Sequence, residues 1–344
     1  MAPLIKSAIL ESLHYSGLLT LYARVALSGK AVVLMYHRVL PRERQRNSFS
    51  SAAIVVTPET FDMHMSLVRR FLRPVSVQEF ARLVRTGAAI PSGTCLVTFD
   101  DGWYDNHAFA LPILQKHAVP AIVFVATDYI ASDRSFWQER LARMLFLSLA
   151  HEDLAAAVLP HVGGNGLPAT NDEVHRRRVA RAVVEKLKVE PIETVRASVE
   201  AVTREIASHL DLTNDELVGE DRFMTWAEVN ELQASGLVTI GSHTQTHVPL
   251  TKLDRETASR ELLLSREAIR ANTGSDCSEF AYPNGDFDDE TVDLVRSAGY
   301  SIAFTTLRRH VTANVDPLRL ARINVHEAAT PTAAHMLGRV AGLS

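Results

Sequence analysis

The chain has 344 residues, 47% of them hydrophobic and 22% charged, with a formal net charge of −4. That balance excludes a disordered chain and leaves no basic footprint for nucleic acid. The length suits one enzyme-sized domain with an insertion and a sizeable core.

Residues 3–27 carry apolar positions at helical spacing (Leu4, Ile5, Ala8, Ile9, Leu13, Leu18, Tyr22, Val25), interrupted by Lys6, Glu11, His14 and Arg24. No uninterrupted apolar run reaches spanning length, and no signal-peptide pattern stands out. Two readings are open: an amphipathic helix over residues 1–30 packed on the domain, or an interfacial helix bringing residues 1–28 to a membrane surface. The expected location is cytoplasmic, either free or peripheral at the inner membrane. The sequence sets no oligomeric state.

Further along, strands and helices alternate. Ala31–Tyr36 reads as a strand and is followed by His37. Pro58–Phe71 and Val77–Val84 read as helices, Leu96–Phe99 as a strand, Asp105–His117 as a helix, and Ala121–Val125 as a strand. Thr225 with Glu228 forms a capping box opening a helix to Ala234. Leu237–Ile240 is a strand, left at Gly241-Ser242. Asp254–Asn272 and Asp288–Ala298 are helices stopped by Gly274 and Gly299, and Ser301–Thr305 is a strand. Leu320–Val325 is the last strand-like segment. Such alternation predicts a parallel sheet or barrel of the α/β class.

Residues 135–222 break the pattern. They run as helices over Gln138–Ala150, Glu173–Leu187 and Glu193–Leu210, with Gly163–Pro168 separating the first two. This is a helical insertion between barrel strands, at a place where it could overhang a site and shape substrate choice. Trp137 reads as an anchor of the insertion or as a ring that stacks on a ligand. The run Arg176-Arg177-Arg178 reads as a solvated helix face. Cys95 and Cys277 form no metal or redox motif, and Cys95 packs in its strand.

The chemistry concentrates at two strand ends. Thr98-Phe99-Asp100-Asp101-Gly102 supplies two adjacent carboxylates, and His243-Thr244-Gln245-Thr246-His247 supplies two imidazoles about one helical turn apart. Catalytic groups of α/β sheets and barrels sit at such carboxyl ends. One Asp and two His make a three-ligand set for a divalent metal with an open position, leaving the other Asp as a general base.

These segments resemble the polysaccharide deacetylases, the carbohydrate esterase family 4 group with the NodB homology domain. Thr98–Gly102 matches the family's T-F-D-D-G motif, and His243–His247 its H-[S/T]-x-x-H motif. The likeness extends to Val33–Val39, Phe280–Gly285, Thr225–Glu228 and Ala298–Tyr300. It implies a distorted (β/α) barrel, with 31–134 and 223–344 as the catalytic domain and 135–222 as the insertion. It also implies hydrolysis of an N-acetyl group from an amino sugar, in a polysaccharide or glycolipid precursor, with release of acetate. By this resemblance Asp101, His243 and His247 are the metal ligands and Asp100 is the base. Trp103, Tyr282, Pro283 and Asn284 fall to the substrate-binding segments. Zn2+ is the default for such a donor set, with Co2+, Ni2+ and Mn2+ as alternatives.

Two features depart from the family pattern. The third motif often carries an Arg that orients the base, but here the segment is Ala281-Tyr282-Pro283-Asn284. Arg322 is the candidate replacement, because the last strand-like segment could return to the site. The general acid is also open, between His37 and His326. Two alternatives stand beside N-deacetylation: a deformylase or other amide hydrolase, and a carbohydrate-binding homologue without catalysis. A nucleotide-binding dehydrogenase is excluded, since no glycine-rich fingerprint follows the early strand.

Overall fold

The computed structural model describes residues 2–164 and 167–343. Asn165 and Gly166, from the glycine-rich stretch expected between two helices, lie outside the described residues. The chain divides into two compact units: Met1–Pro41, Ser51–Ser132 and Phe223–Ser344 form one, and Arg42–Ser50 with Asp133–Arg222 forms the other.

Eight strands of the first unit form one parallel sheet: β1 (Ala31–Tyr36), β2 (Arg73–Pro74), β3 (Thr94–Phe99), β4 (Ala121–Val125), β5 (Val238–Ser242), β6 (Glu279–Ala281), β7 (Ile302–Phe304) and β8 (Ile323–Asn324). Their order is β8-β1-β3-β4-β5-β6-β7, with β2 beside β3. Every residue of β1 and β3 is buried, as strands covered on both faces require. Parallel neighbours need crossovers. These run through α3 (Pro58–Phe71), α4 (Val77–Thr86), α5 (Leu111–His117), α6 (Trp226–Ala234), α7 (Arg255–Thr273) and α8 (Asp289–Ser297). Leu320 bridges to Phe304 of β7, and three residues later β8 pairs with β1, so the sheet curls back on itself as an incomplete barrel.

The register aligns the strand ends. Tyr36 pairs Phe99, Phe99 pairs Val123, Val125 pairs Ser242, Ser242 pairs Phe280 and Ala281 pairs Phe304. The residues just beyond these pairs are His37, Asp100, Asp101 and His243, so three segments distant in sequence meet at one rim. The Thr225–Glu228 capping box is formed in both directions at 2.8 and 3.2 Å. The helix expected from Asp105 opens instead with a π-type turn over Asn106–Ala110 before α5. β5 runs on through Ser242, because that residue is paired on both sides.

The amino-terminal pattern forms two helices rather than one. α1 (Ala2–Tyr15) and α2 (Leu18–Ala26) are broken at Gly17, which sits at φ 76°. Leu10 and Leu19 are buried with Ala334 and Leu337 of α9 (Ala333–Val340). A Cβ at Gly338 would come within 2.9 Å of Leu10, so glycine there lets α1 approach. The side chain of Leu4, part of the expected pattern, lies outside the described residues.

The second unit is helical, with Trp137–Ser148, Glu152–Val158, Glu173–Leu187 and Ile192–His209. They enclose a core of Leu141, Leu145, Leu154, Val184 and Val202 that also takes in Phe49, and Trp137 packs partly buried against it. Asp221 accepts from Ser48 Oγ at 2.6 Å and Phe49 N–H at 2.8 Å, tying the early segment to the unit's end. The arginine run is not a solvated face throughout. Arg176 is 9% exposed with its guanidinium 4.4 Å from the Phe146 ring, and Arg177 lies 4.5 Å over Phe49. A planar cation can stack on aromatic faces in this way.

His64 of α3 is fully buried, bonded to Tyr36 Oη at 3.1 Å and Thr330 O at 2.8 Å. Burial pushes it down to about 4 from an ordinary 6.5. An unfolded chain takes this proton below about pH 6.5 and the native state does not. The group's contribution is therefore whole above that pH and is lost as pH falls toward 4, about 3 kcal/mol in all. His64→Gln offers a similar donor and acceptor without the titration. Stability measured from pH 7 to 4 is expected to fall less in this variant than in wild type, and equal falls would refute the assignment.

Candidate active site

β3 ends in two acids that diverge. Asp101 has φ 80° and Gly102 has φ 88°, both left-handed, so the chain turns sharply there. At Gly102 any Cβ would also meet Ile130 at 2.9 Å. The turn lets adjacent carboxylates, 2% and 4% exposed, find separate partners.

Asp100 meets Arg322. The guanidinium donates from Nη1 to Oδ1 and from Nη2 to Oδ2, both at 2.7 Å, a fork-to-fork pair. Nε donates to Thr305 O at 2.9 Å and Nη1 also to Thr98 Oγ1 at 3.2 Å. Arg322 is 0% exposed. Burial alone would raise the Asp100 carboxyl, but the charge of Arg322, with smaller effects from His243 and His37, outweighs it and holds the group below its usual range. The structure thus sets a cation on Asp100 although position 281 is Ala.

His37 Nε2 lies 3.9 Å from Asp100 Oδ2, beyond hydrogen-bond length, and its Nδ1 has no partner among the described residues. Leu34 pairs Ile323 and Met35 pairs Asn324, so His326 follows the last strand at the same end at which His37 follows the first. His326 Nδ1 also lacks a partner among the described residues, and burial, then the charge of Arg339, pushes its ring down.

Asp101 meets the histidines. Its Oδ1 is 3.3 Å from His247 Nε2 and 3.6 Å from His243 Nε2, and the three ligand atoms lie within 4.8 Å of one another. His243 Nδ1 donates to the Ala281 carbonyl at 2.8 Å, which turns the bare Nε2 toward Asp101. Burial pushes His243 down to about 4, so it is neutral as a ligand must be. For Asp101, burial would raise the carboxyl, but the hydrogen bond with the His247 ring and the neighbouring imidazoles outweigh it and hold the group well below the usual range. A tetrahedral centre with bonds of about 2.0–2.2 Å spaces its donors about 3.3–3.6 Å apart. The N, N, O donor set and the two Asp101–imidazole spacings fit a divalent metal.

The histidine loop is not helical. Residues 243–249 form a bend in which Thr244 and His247 have φ 63° and 60°. Glu261, 7% exposed on α7, accepts Gln245 N–H at 2.9 Å, Thr246 N–H at 2.8 Å and Thr246 Oγ1 at 2.7 Å. This single carboxylate shapes the loop. Its sequence signal was an acid on the buried stripe of α7, with Ala258, Leu262, Ser265 and Ile269.

Trp103 and Tyr282, expected to touch substrate, are both 0% exposed. Trp103 stacks on Phe223 at 4.2 Å, and its Nε1–H donates to Asp101 Oδ2 at 2.8 Å, leaving Oδ1 for the imidazoles. Arg38 lies 4.3 Å over its ring and donates to Asp105 at 2.8 Å. Tyr282 donates to Leu318 O at 3.1 Å. Pro283 is buried, and of these four only Asn284 is exposed, at φ 57°. Ala281 contributes through its carbonyl, a role its side chain does not announce.

A parallel barrel with an Asp-His-His cluster and a second carboxylate at its rim defines a hydrolase-type site. The family model described as "Polysaccharide deacetylase" matches residues 88–147 and 191–303, half of the chain, and the chain belongs to that family. It is similar to the Bacillus subtilis (strain 168) protein "Putative polysaccharide deacetylase YxkH", at 27% identity over 140 residues, 40% of this chain. That match spans 46% of the relative's length. Among solved structures, it is similar to the Streptococcus pyogenes deacetylase PplD in complex with acetate, at TM-score 0.55 and 18% identity, covering 88% of this chain and 95% of that one. IcaB from Ammonifex degensii matches at TM-score 0.55 and 19% identity, covering 90% of this chain and 97% of that one. These likenesses show the fold, a distorted (β/α) barrel of the NodB type.

Trp103→Phe keeps the stack and removes the N–H. Binding of Zn2+ or Co2+ in a chelator competition is expected to weaken roughly 10–100-fold with the circular dichroism unchanged, and unchanged affinity would dismiss the support role. Arg322→Lys keeps charge but not the fork. Turnover is expected to fall with metal affinity retained, and wild-type turnover would show that the fork is dispensable.

Proposed function

We propose that this protein hydrolyses the N-acetyl group of an amino sugar in a polysaccharide or lipid-linked glycan precursor, releasing acetate and a free amine. The observation that carries this reading is the separation of Asp100 from Asp101, one held by Arg322 and the other by the histidine pair. PplD, with which the chain shares its fold, was solved with acetate, the acid such a reaction releases.

Asp101, His243 and His247 would hold the divalent metal, Zn2+ by its donor set, with Co2+, Ni2+ or Mn2+ as alternatives. When bound, such an ion supplies Lewis-acid polarisation of the acyl oxygen and activation of water. Asp100, ionised and fixed by Arg322, takes a proton from the attacking water as general base. Arg322 keeps the carboxylate plane from rotating while leaving each oxygen a free lone pair. His37, 3.9 Å from Asp100 and partly exposed, gives the leaving nitrogen its proton, and His326 is the alternative donor. The reading of a homologue without catalysis rested on the absent arginine, and Arg322 now meets that objection.

Acetate release is to be measured on N-acetylated oligosaccharides and lipid-linked sugars, with metal or chelator, for wild type and Asp100→Asn. Metal-dependent release, lowered about 10²–10⁴-fold in the variant, is the expected result. Formate release in place of acetate would transfer the site to a deformylase, and metal binding without any turnover would overturn the catalytic reading.

A further inference from the structure

The two amino-terminal helices each carry a second apolar stripe. The first, with Leu10, Leu19 and Ala23, is buried on the α9 side. The second is in solvent. In α2 it comprises Leu18, Leu21, Tyr22 and Val25, 54%, 60%, 47% and 69% exposed, at the i, i+3, i+4, i+7 spacing of one helix face. In α1 it comprises Ile5 and Ile9, 55% and 54% exposed, running toward Tyr15 at 86%. Seven of the thirteen large hydrophobic side chains exposed among the described residues lie in this hairpin, so the patch is a concentration and not scatter.

Its charge is of one sign. Residues 1–30 hold Lys6, Arg24 and Lys30 against Glu11 alone, within a chain of net −4. Glu11 is engaged elsewhere, accepting Thr332 Oγ1 at 2.6 Å and lying 3.7 Å from His335. Arg24 is exposed beside Val25. Arg70 lies over the Phe71 ring, which packs on the Leu10–Leu19 cluster, adding a further cation nearby.

We propose that the hairpin α1–α2 docks on an anionic phospholipid surface, with the Ile5–Ile9 and Leu18–Val25 stripes entering the interface and Arg24 and Lys30 meeting the headgroups. Apolar area plus cations on a helix lying in the plane is the recipe for interfacial binding. A second copy is disfavoured by the same charges. A two-fold contact would set Arg24 and Lys30 against their own kind, with no acid in the exposed stripes to pair them. No helix of the described residues is long and apolar enough to cross a membrane, so the contact is peripheral. The inference rests on the lipid-linked substrate included in the function proposed above and assigns its membrane contact to named side chains. Its readout is binding and not turnover, so each can fail without the other.

The full chain is to be sedimented with phosphatidylcholine vesicles and with vesicles containing phosphatidylglycerol. Wild type is expected to bind the anionic vesicles, less so in high salt. The pair Leu21→Glu and Val25→Glu is expected to lower binding at least about tenfold, and Arg24→Gln about fivefold. Circular dichroism and acetate release from a soluble oligosaccharide should be unchanged. If the double variant misfolds, Arg24→Gln alone decides. Equal partition of folded variants and wild type would overturn the proposal. So would a wild type that ignores vesicles, whether it is monomeric or a dimer broken by the glutamates.

Discussion

Two adjacent carboxylates, both nearly free of solvent, cannot share a dry pocket as anions unless each has its own cationic or hydrogen-bonding partners. The rim of the barrel is organised around that constraint. The left-handed turn at Asp101 and Gly102 sends the second carboxylate away from the first. Arg322 then satisfies Asp100 from one side of the barrel, while the histidine loop after β5 converges on Asp101 from the other. Each set of partners is itself braced. Arg322 is pinned by Thr305 and Thr98, His243 by the Ala281 carbonyl, and the loop by Glu261.

The parts of the site legible in the sequence are those where residue type and chemistry coincide. Asp100, Asp101, His243 and His247 carry groups with few other uses at strand ends, and buried strands such as Ala31–Tyr36 show as unbroken apolar runs. What the sequence hides is direction. The four-residue spacing of the histidines suggested a helical turn, yet convergence comes from a bend with two left-handed residues. Spacing reports separation along the chain, and a bend can bring the same pair together. Trp103 was expected among the substrate-binding residues because it follows the acids, but its ring is sandwiched between Phe223 and Arg38. Glu261 and Ala281 went unnoticed because one lies in a long amphipathic helix and the other acts through its backbone.

The helical unit and the amino terminus teach a related point. Arg176 and Arg177 read as solvated by composition, and cover aromatic rings because a guanidinium can lie flat on them. Residues 3–27 read as one amphipathic stretch, but the break at Gly17 turns one broad apolar pattern into two helices, each with an inner and an outer stripe. Periodicity identifies apolar faces. It does not say whether one or both will be covered.

The relocated arginine links closure of the barrel to the state of its site. β8 pairs with β1 over two residues only, Ile323 and Asn324, and Leu320 bridges to β7 just before it. Arg322 sits between those two attachments, and its guanidinium reaches across to Thr98 and Asp100 at the end of β3. A short strand with few ladder bonds is held weakly by its backbone, so the buried fork adds a cross-barrel tie where the sheet is thinnest. The dependence runs both ways. If β8 comes away, Asp100 is left buried without its cation, which costs several kcal/mol for a broken buried pair. If Asp100 is protonated, the tie on β8 loses its charge. An arginine at position 281 would orient the carboxylate from β6, and the closing strand would lose that hold. With the arginine just ahead of β8, the hold on Asp100 and the closure of the barrel are linked.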